Sequence, residues 1–265
     1  MTILDTILAH KKIEVRNAKR EKPVNLLEKS ANFNSPNVSL KEFILDKSKS
    51  GIIAEFKRQS PSKGIINNTA LVTNVTKGYE NSGASALSIL TDNHFFGGHN
   101  NDVTTARKTT NNPILRKDFT IDTYQIIEAK SIGANAILLI ASVLTKNEIK
   151  TFTNLAHSIG LEVLLEIHTE KELEKYNPDI SLVGINNRNL NTFEVDFENA
   201  IRLAKSLPSQ TIKIAESGIS DPKNINYLKT HGFDGFLIGE NFMKNKNPGA
   251  ACKTFIDNIT KPCHA

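Results

Sequence analysis

Tryptophan is missing from the 265 residues, and cysteine and methionine occur only twice each. No stretch of about 18 uncharged apolar residues exists that could cross a bilayer. A soluble chain with no membrane contact is therefore expected. The cysteines, Cys252 and Cys263, both fall near the carboxyl end without CxxC or Cys/His spacing, so neither a disulfide framework nor a zinc site is indicated. Histidine is equally unpromising. His94, His157, His168 and His231 stand apart, with no HxH or HExxH pattern, so no metal is expected and each reads as a surface or loop residue. His168 is the least clear, because it follows an apolar run. GxGxxG is also absent, which argues against an open dinucleotide-binding sheet. The amino-terminal stretch lacks the basic start, apolar core and cleavage site of a secretory signal, making the cytoplasm the expected location.

Charge of one sign is not concentrated anywhere. A net charge of +5 and a pI near 9.0 come from basic residues interleaved with 28 acids, so nucleic acid is not an expected partner and a small anion is. The run "HKKIEVRNAKREK" reads as a solvated helix face.

What is present is a rhythm. Short apolar, β-prone runs occupy 51–57, 84–90, 112–117, 134–141, 161–167, 181–186, 211–217 and 233–239, separated by amphipathic stretches with Asp or Thr starts. Gly83, Gly133, Gly160 and Gly232 each stand just before the next run. Helix, glycine, strand, repeated around eight runs, predicts an α/β fold: a closed (β/α)8 TIM barrel. Its size suits one barrel domain over residues 1–265. Residues 1–45 lie outside the count, and Ile3, Leu4, Ile7, Leu8 and Val15 predict a helical extension packed on the barrel, with "EKSANFNSPNVS" as its connecting loop.

In a barrel the chemistry sits at the carboxyl ends of the strands, and here those ends are charged. They carry Glu55 and Lys57, then Arg116, Lys117 and Asp118, then Glu162 and Glu166, then Asn186, Asn187 and Arg188, then Glu216 and Ser217. Alternation puts Glu55 and Lys57 on one face and Phe56 on the other. Buried charges must pair or bind something, so one mouth lined by both signs predicts a site. "ESGIS" and "LIGENFM" are strands that end in glycine and open into helix turns, the usual phosphate cradle of this fold.

The segments "IIAEFKRQSPSKG", "ALSILTDNHFFGG", "ILRKDFTIDTYQIIEAKSIGANAILLI", "LEVLLEIHTEKEL", "VGINNRNL", "IAESGI" and "LIGENFM", in that order, resemble the signature segments of the indole-3-glycerol phosphate synthase family. "ILDTILAHKKIEVRNAK" is similar to that family's extra amino-terminal helix. The resemblance implies a cofactor-free enzyme of tryptophan biosynthesis, a carboxy-lyase acting on a small phosphorylated substrate. It implies Lys117 as general acid, Glu166 as general base and Lys57 as a second acid, with Glu55, Glu216 and Asn186 in support. Ser217 and Arg188 match positions lining the substrate, and Phe96 and Phe119 match aromatic residues that hold its anthranilate ring. Ser60, Gly218, Gly239 and Glu240, with Lys57, fall where the family binds phosphate. Asn241 departs from the small residue expected there.

Two other readings are compatible with a phosphate-binding barrel. A related isomerase, phosphoribosylanthranilate isomerase, would need a Cys/Asp acid and base pair, and neither cysteine lies at a strand end. A sensor or scaffold would not need Lys57, Lys117 and Glu166 together. No fused second enzyme is expected after the last strand, and a monomer is the expected state.

Overall fold

The computed structural model describes residues 2–188 and 194–260; Cys263 and the end of the "VGINNRNL" segment lie outside them. Three helices precede the first strand: α1 (Ile3–Glu21), α2 (Val24–Leu27) and α3 (Leu40–Leu45). Strands and helices then alternate as β1 (Ile52–Phe56), α4 (Val72–Asn81), β2 (Ala86–Leu90), α5 (Asn93–Phe96), α6 (Asn100–Arg107), β3 (Ile114–Lys117), α7 (Thr123–Ile132) and β4 (Ala136–Ile140). The second half continues with α8 (Lys146–Ser158), β5 (Glu162–Ile167), α9 (Glu170–Leu173), β6 (Leu182–Asn186), α10 (Phe197–Lys205), β7 (Ile212–Glu216), α11 (Pro222–Thr230), β8 (Gly235–Ile238), α12 (Glu240–Met243) and α13 (Pro248–Thr260). A short antiparallel hairpin, Gln59–Ser60 with Gly64–Ile65, follows β1.

The eight strands β1 to β8 pair in parallel with their sequence neighbours, and β1 closes on β8 through Ile52 opposite Phe236. This is the TIM barrel that the strand rhythm predicts. The helix stops also behave as expected: Gly83, Gly133, Gly160 and Gly232 all take positive φ, which costs glycine nothing.

Alternation along each strand divides the core in two. Outward residues such as Ile52, Ala54 and Phe56 meet the helices in one large buried cluster. Inward residues Ile53, Leu115, Leu164 and Ile214, one from each odd-numbered strand, belong to a second cluster inside the barrel. Burying each of these side chains contributes about 1.5–3 kcal/mol. The floor of that inner cluster is sealed by Leu40 and Ile44 of α3. Glu162, the first residue of β5, accepts the Leu40 N–H and, at 2.9 Å, the Ser39 hydroxyl. Glu162 thus closes the amino end of the barrel, correcting the expectation that it joins the mouth.

The extension reaches the other end as well. α1 begins with a reciprocal cap between Thr2 and Asp5 and buries Ile7, Lys11 and Val15, a stripe at four-residue spacing. Ile3, expected on the apolar face, is instead 47% exposed. Lys11, in the run read as a solvated face, is instead buried in the middle of the stripe. Tyr124 ties α1 down by donating to the carbonyls of Ala18 and Lys22, at 3.0 and 2.9 Å.

Candidate active site

Two residues beyond each member of the inner apolar layer comes a charged one: Glu55 after Ile53, Lys117 after Leu115, Glu166 after Leu164, Glu216 after Ile214. A strand repeats its facing every two residues, so an apolar layer on the odd strands forces the next layer to meet at the axis. The Lys117 ammonium lies there between two carboxylates, 3.0 Å from Glu166 Oε2 and 3.1 Å from Glu216 Oε2. Glu55 holds Lys57 at 2.8 Å and accepts the Ser88 hydroxyl at 3.3 Å.

The surroundings set each proton. Burial works against the Lys117 charge, but Glu166, Glu216 and Glu55 override it and hold the ammonium well above the usual lysine range. Burial likewise opposes ionisation of Glu166, and Lys117 first, then His168 and Asn186, outweigh it and keep the carboxyl well below its ordinary value. Glu216 goes the other way: burial pushes it up, Lys117 only partly compensates, and the charges of Glu166 and Glu55 add to the rise. Two carboxylates on one ammonium are therefore pushed apart in acidity.

Asn186 donates to Glu166 Oε1 at 3.0 Å and accepts the Arg188 N–H at 3.0 Å. Its neighbour Asn187 is buried and donates to the Ser217 carbonyl at 2.8 Å. Ser217 is the one described non-glycine residue with positive φ, at 68°, and Gly218 follows at 74°. A left-handed serine costs roughly 1–2 kcal/mol, and Asn187 helps to hold it. Gly218 also admits Val195, whose methyls would stand 2.5 Å from a Cβ there.

At Gly239 a Cβ would come within 2.4 Å of Glu55 Oε1, so glycine at the end of β8 makes room for the charged layer. Glu240 begins α12, with its carboxylate drawn toward Lys63 at 3.6 Å and Arg188 at 4.0 Å. Asn241 donates to the Ser220 carbonyl at 3.3 Å, linking the loops after β7 and β8. Ser60 lies on the hairpin after β1. Across the mouth, the Phe96 and Phe119 rings sit with centroids 6.0 Å apart at 42°. Among the described residues, no group of three or more His, Cys, Asp or Glu has the arrangement of a metal site.

A sequence profile of the family described as "Indole-3-glycerol phosphate synthase" matches residues 4–255. The chain belongs to the indole-3-glycerol phosphate synthase family. An indole-3-glycerol phosphate synthase of Bacteroides thetaiotaomicron is 49% identical over 257 residues, 97% of this chain and 98% of that protein. One from Caldanaerobacter subterraneus subsp. tengcongensis is 44% identical over 243 residues, 91% of this chain and 93% of its own length. Among solved structures, a mutant tryptophan synthase alpha-subunit from Pyrococcus furiosus superposes with a TM-score of 0.59 at 15% identity, over 80% of this chain and 98% of that one. That likeness speaks for the barrel alone.

Within this family member, three features differ from the sequence reading. Arg116 does not reach the mouth: as the residue before Lys117 it points to the helix layer, bonded to Glu128 at 2.6 Å and to the Gln125 carbonyl at 2.8 Å. His168 is not a surface residue, although His94 and His157 are exposed. Its side chain is 9% exposed, with Nε2 3.1 Å from Glu166 and Nδ1 3.4 Å from Glu172. Burial alone would lower this imidazole, but the hydrogen bonds and charges of Glu166 and Glu172 push it up to about 10. The signal was the two-residue spacing from Glu166, the same one that pairs Glu55 with Lys57. The third is Gly184, which nothing in the sequence marks as part of the site: a Cβ there would stand 2.0 Å from Glu216 Oε1.

Proposed function

We propose that the charged layer and its flanking loops convert 1-(2-carboxyphenylamino)-1-deoxyribulose 5-phosphate to indole-3-glycerol phosphate, carbon dioxide and water, with Lys117 as the general acid of ring closure. The observation that carries this reading is the Lys117 ammonium held between Glu166 and Glu216 at the barrel mouth. As the carboxylate-bearing ring carbon attacks the ketone carbon, the ketone oxygen becomes an alkoxide and takes a proton from Lys117. An acid whose pKa is raised suits so basic an acceptor, because it stays protonated until the alkoxide forms. Loss of the carboxylate as carbon dioxide follows. The hydroxyl then departs as water with a proton from Lys57, while Glu166, kept ionised, takes a proton from the methylene carbon beside the ring nitrogen, which closes the indole with its N–H intact.

The other assignments follow from position. Glu55 holds Lys57, and Asn186 orients Glu166. Glu216 Oε1 has no hydrogen-bond partner among the described residues and orients a substrate hydroxyl. The rings of Phe96 and Phe119 hold the anthranilate, with Arg188 and Ser217 along the chain between ring and phosphate. The phosphate meets Lys57, Ser60 and the backbone N–H groups of Gly218, Gly239 and Glu240. Because Glu240 carries a carboxylate, its own contribution is by backbone, the side chain being drawn aside by Lys63 and Arg188. The isomerase alternative lacks support: Cys252 is buried in α13, and burial pushes its thiol up to about 12.

The test is to add the substrate to purified protein and follow the indole by fluorescence, with no tryptophan emission from the chain itself. Product formation is expected. Silence across a range of pH overturns the reading and favours the scaffold alternative.

A further inference from the structure

One buried cation lies outside the chemistry just described. Lys11 of α1 is 3% exposed, and its ammonium lies 2.5 Å from Glu14, 2.8 Å from Asp92 Oδ2 and 3.0 Å from Asp118 Oδ1. Glu14 is its own helix neighbour, but the two aspartates come from the loops after β2 and β3. Asp92 has no other ion-pair partner among the described residues, and it is fully buried. A buried ammonium joining buried carboxylates from separate loops fixes those loops against one another, since removing it leaves Asp92 without a counterion, while Asp118 keeps Arg116 at 3.3 Å.

Each aspartate also holds the backbone that carries one of the two mouth rings. Asp92 Oδ1 accepts the Phe95 N–H at 2.9 Å, starting the short helix α5 that ends at Phe96. Asp118 Oδ1 accepts the Phe119 N–H at 2.8 Å, while its other oxygen accepts the Thr91 hydroxyl at 2.6 Å. We infer that Lys11 is a positioning residue that sets the gap between the Phe96 and Phe119 rings, so that the amino-terminal helix, outside the barrel, governs recognition of the substrate's aromatic end. This rests on the reading that the gap takes the anthranilate ring.

The test compares the full-length protein with its Lys11→Met variant. KM for the substrate is expected to rise about 10-fold or more while kcat falls less than about 3-fold, because the ring site is loosened and the charged layer is not. Competitive inhibition by inorganic phosphate is expected to stay within about 2-fold, and Lys11→Arg to recover part of the KM. On a background lacking both rings, Phe96→Ala with Phe119→Ala, Lys11→Met is expected to change KM by less than about 2-fold, as it must if Lys11 acts through those rings. Amide hydrogen exchange over residues 92–98 and 117–121 is expected to accelerate in Lys11→Met.

An unchanged KM, a parallel weakening of phosphate inhibition, or a further rise in KM on the background lacking both rings overturns the inference. If the wild type makes no indole, the proposed function fails, and hydrogen exchange still decides this question: unchanged rates in both segments sink it. Should Lys11→Met not fold, Asp92→Asn keeps an oxygen for the Phe95 N–H while removing the charge, and carries the same expectations.

Discussion

Glu216 occupies the space that a side chain at Gly184 would need: its Oε1 lies 2.0 Å from where a Cβ would stand. The two residues belong to neighbouring strands, β6 and β7, and the glycine lets the carboxylate lean toward Lys117. Gly184→Ala is therefore expected to displace the Glu216 carboxylate, lowering kcat by about 10-fold or more through misplacement of the charged layer. Steady-state kinetics check it, with circular dichroism as the control for folding. Unaltered kcat would mean that Glu216 tolerates displacement.

Lys117→Ala removes both the proposed acid and the only ion-pair partner of Glu216 among the described residues. Turnover is expected to fall by about 10² or more, at the low end of what a positioned general acid contributes. Stability is expected to fall by about 3–5 kcal/mol, the cost of stranding buried charge, unless Glu216 takes up a proton. Urea unfolding at pH 6 and pH 8 separates the two outcomes, the loss being larger at the higher pH.

His168 makes stability depend on pH. Its folded pKa, about 10, stands above the ordinary 6.5, so the charged imidazole stabilises the fold fully below 6.5 and loses that contribution as pH rises through 10. The stability difference between wild type and His168→Gln is expected to be constant below that lower value, on the order of a few kcal/mol, and to vanish toward the upper one. Denaturant titrations across that window test it, and a difference independent of pH would show that the histidine is not charged in the fold.

The aromatic pair is expected to act on binding alone. Phe119→Ala removes one wall of the 6.0 Å ring pair. KM is expected to rise by about 10-fold, from lost ring contact on the order of 1–1.5 kcal/mol, with kcat less affected. An equal fall in kcat would instead place Phe119 in the chemistry.

Much of this protein follows from local order along the chain. The barrel was legible because eight apolar runs are punctuated by glycines that end helices, and a parallel strand buried on both faces leaves that mark in the sequence. Glu55, Lys117, Glu166 and Glu216 were legible as strand-end charges, since facing alternates with every residue. That same rule makes Arg116 an outward residue, but only packing shows what it meets there, namely Glu128 from a helix twelve residues on.

What the tertiary structure decided is which charges share an environment. Lys11 looks like its exposed neighbours because one lysine within a charged run carries no sign of the aspartates, 81 and 107 residues away in sequence, that surround it once folded. His168 resembles any loop histidine until Glu166 and Glu172 are seen on its two nitrogens. Glu162 and Glu166 look alike on one strand, yet one closes the floor and the other faces the mouth, because the strand runs from end to end of the barrel. Sequence sets facing and periodicity through backbone geometry; Coulomb partners are set by distances between elements far apart in the chain, and those exist only in the closed barrel.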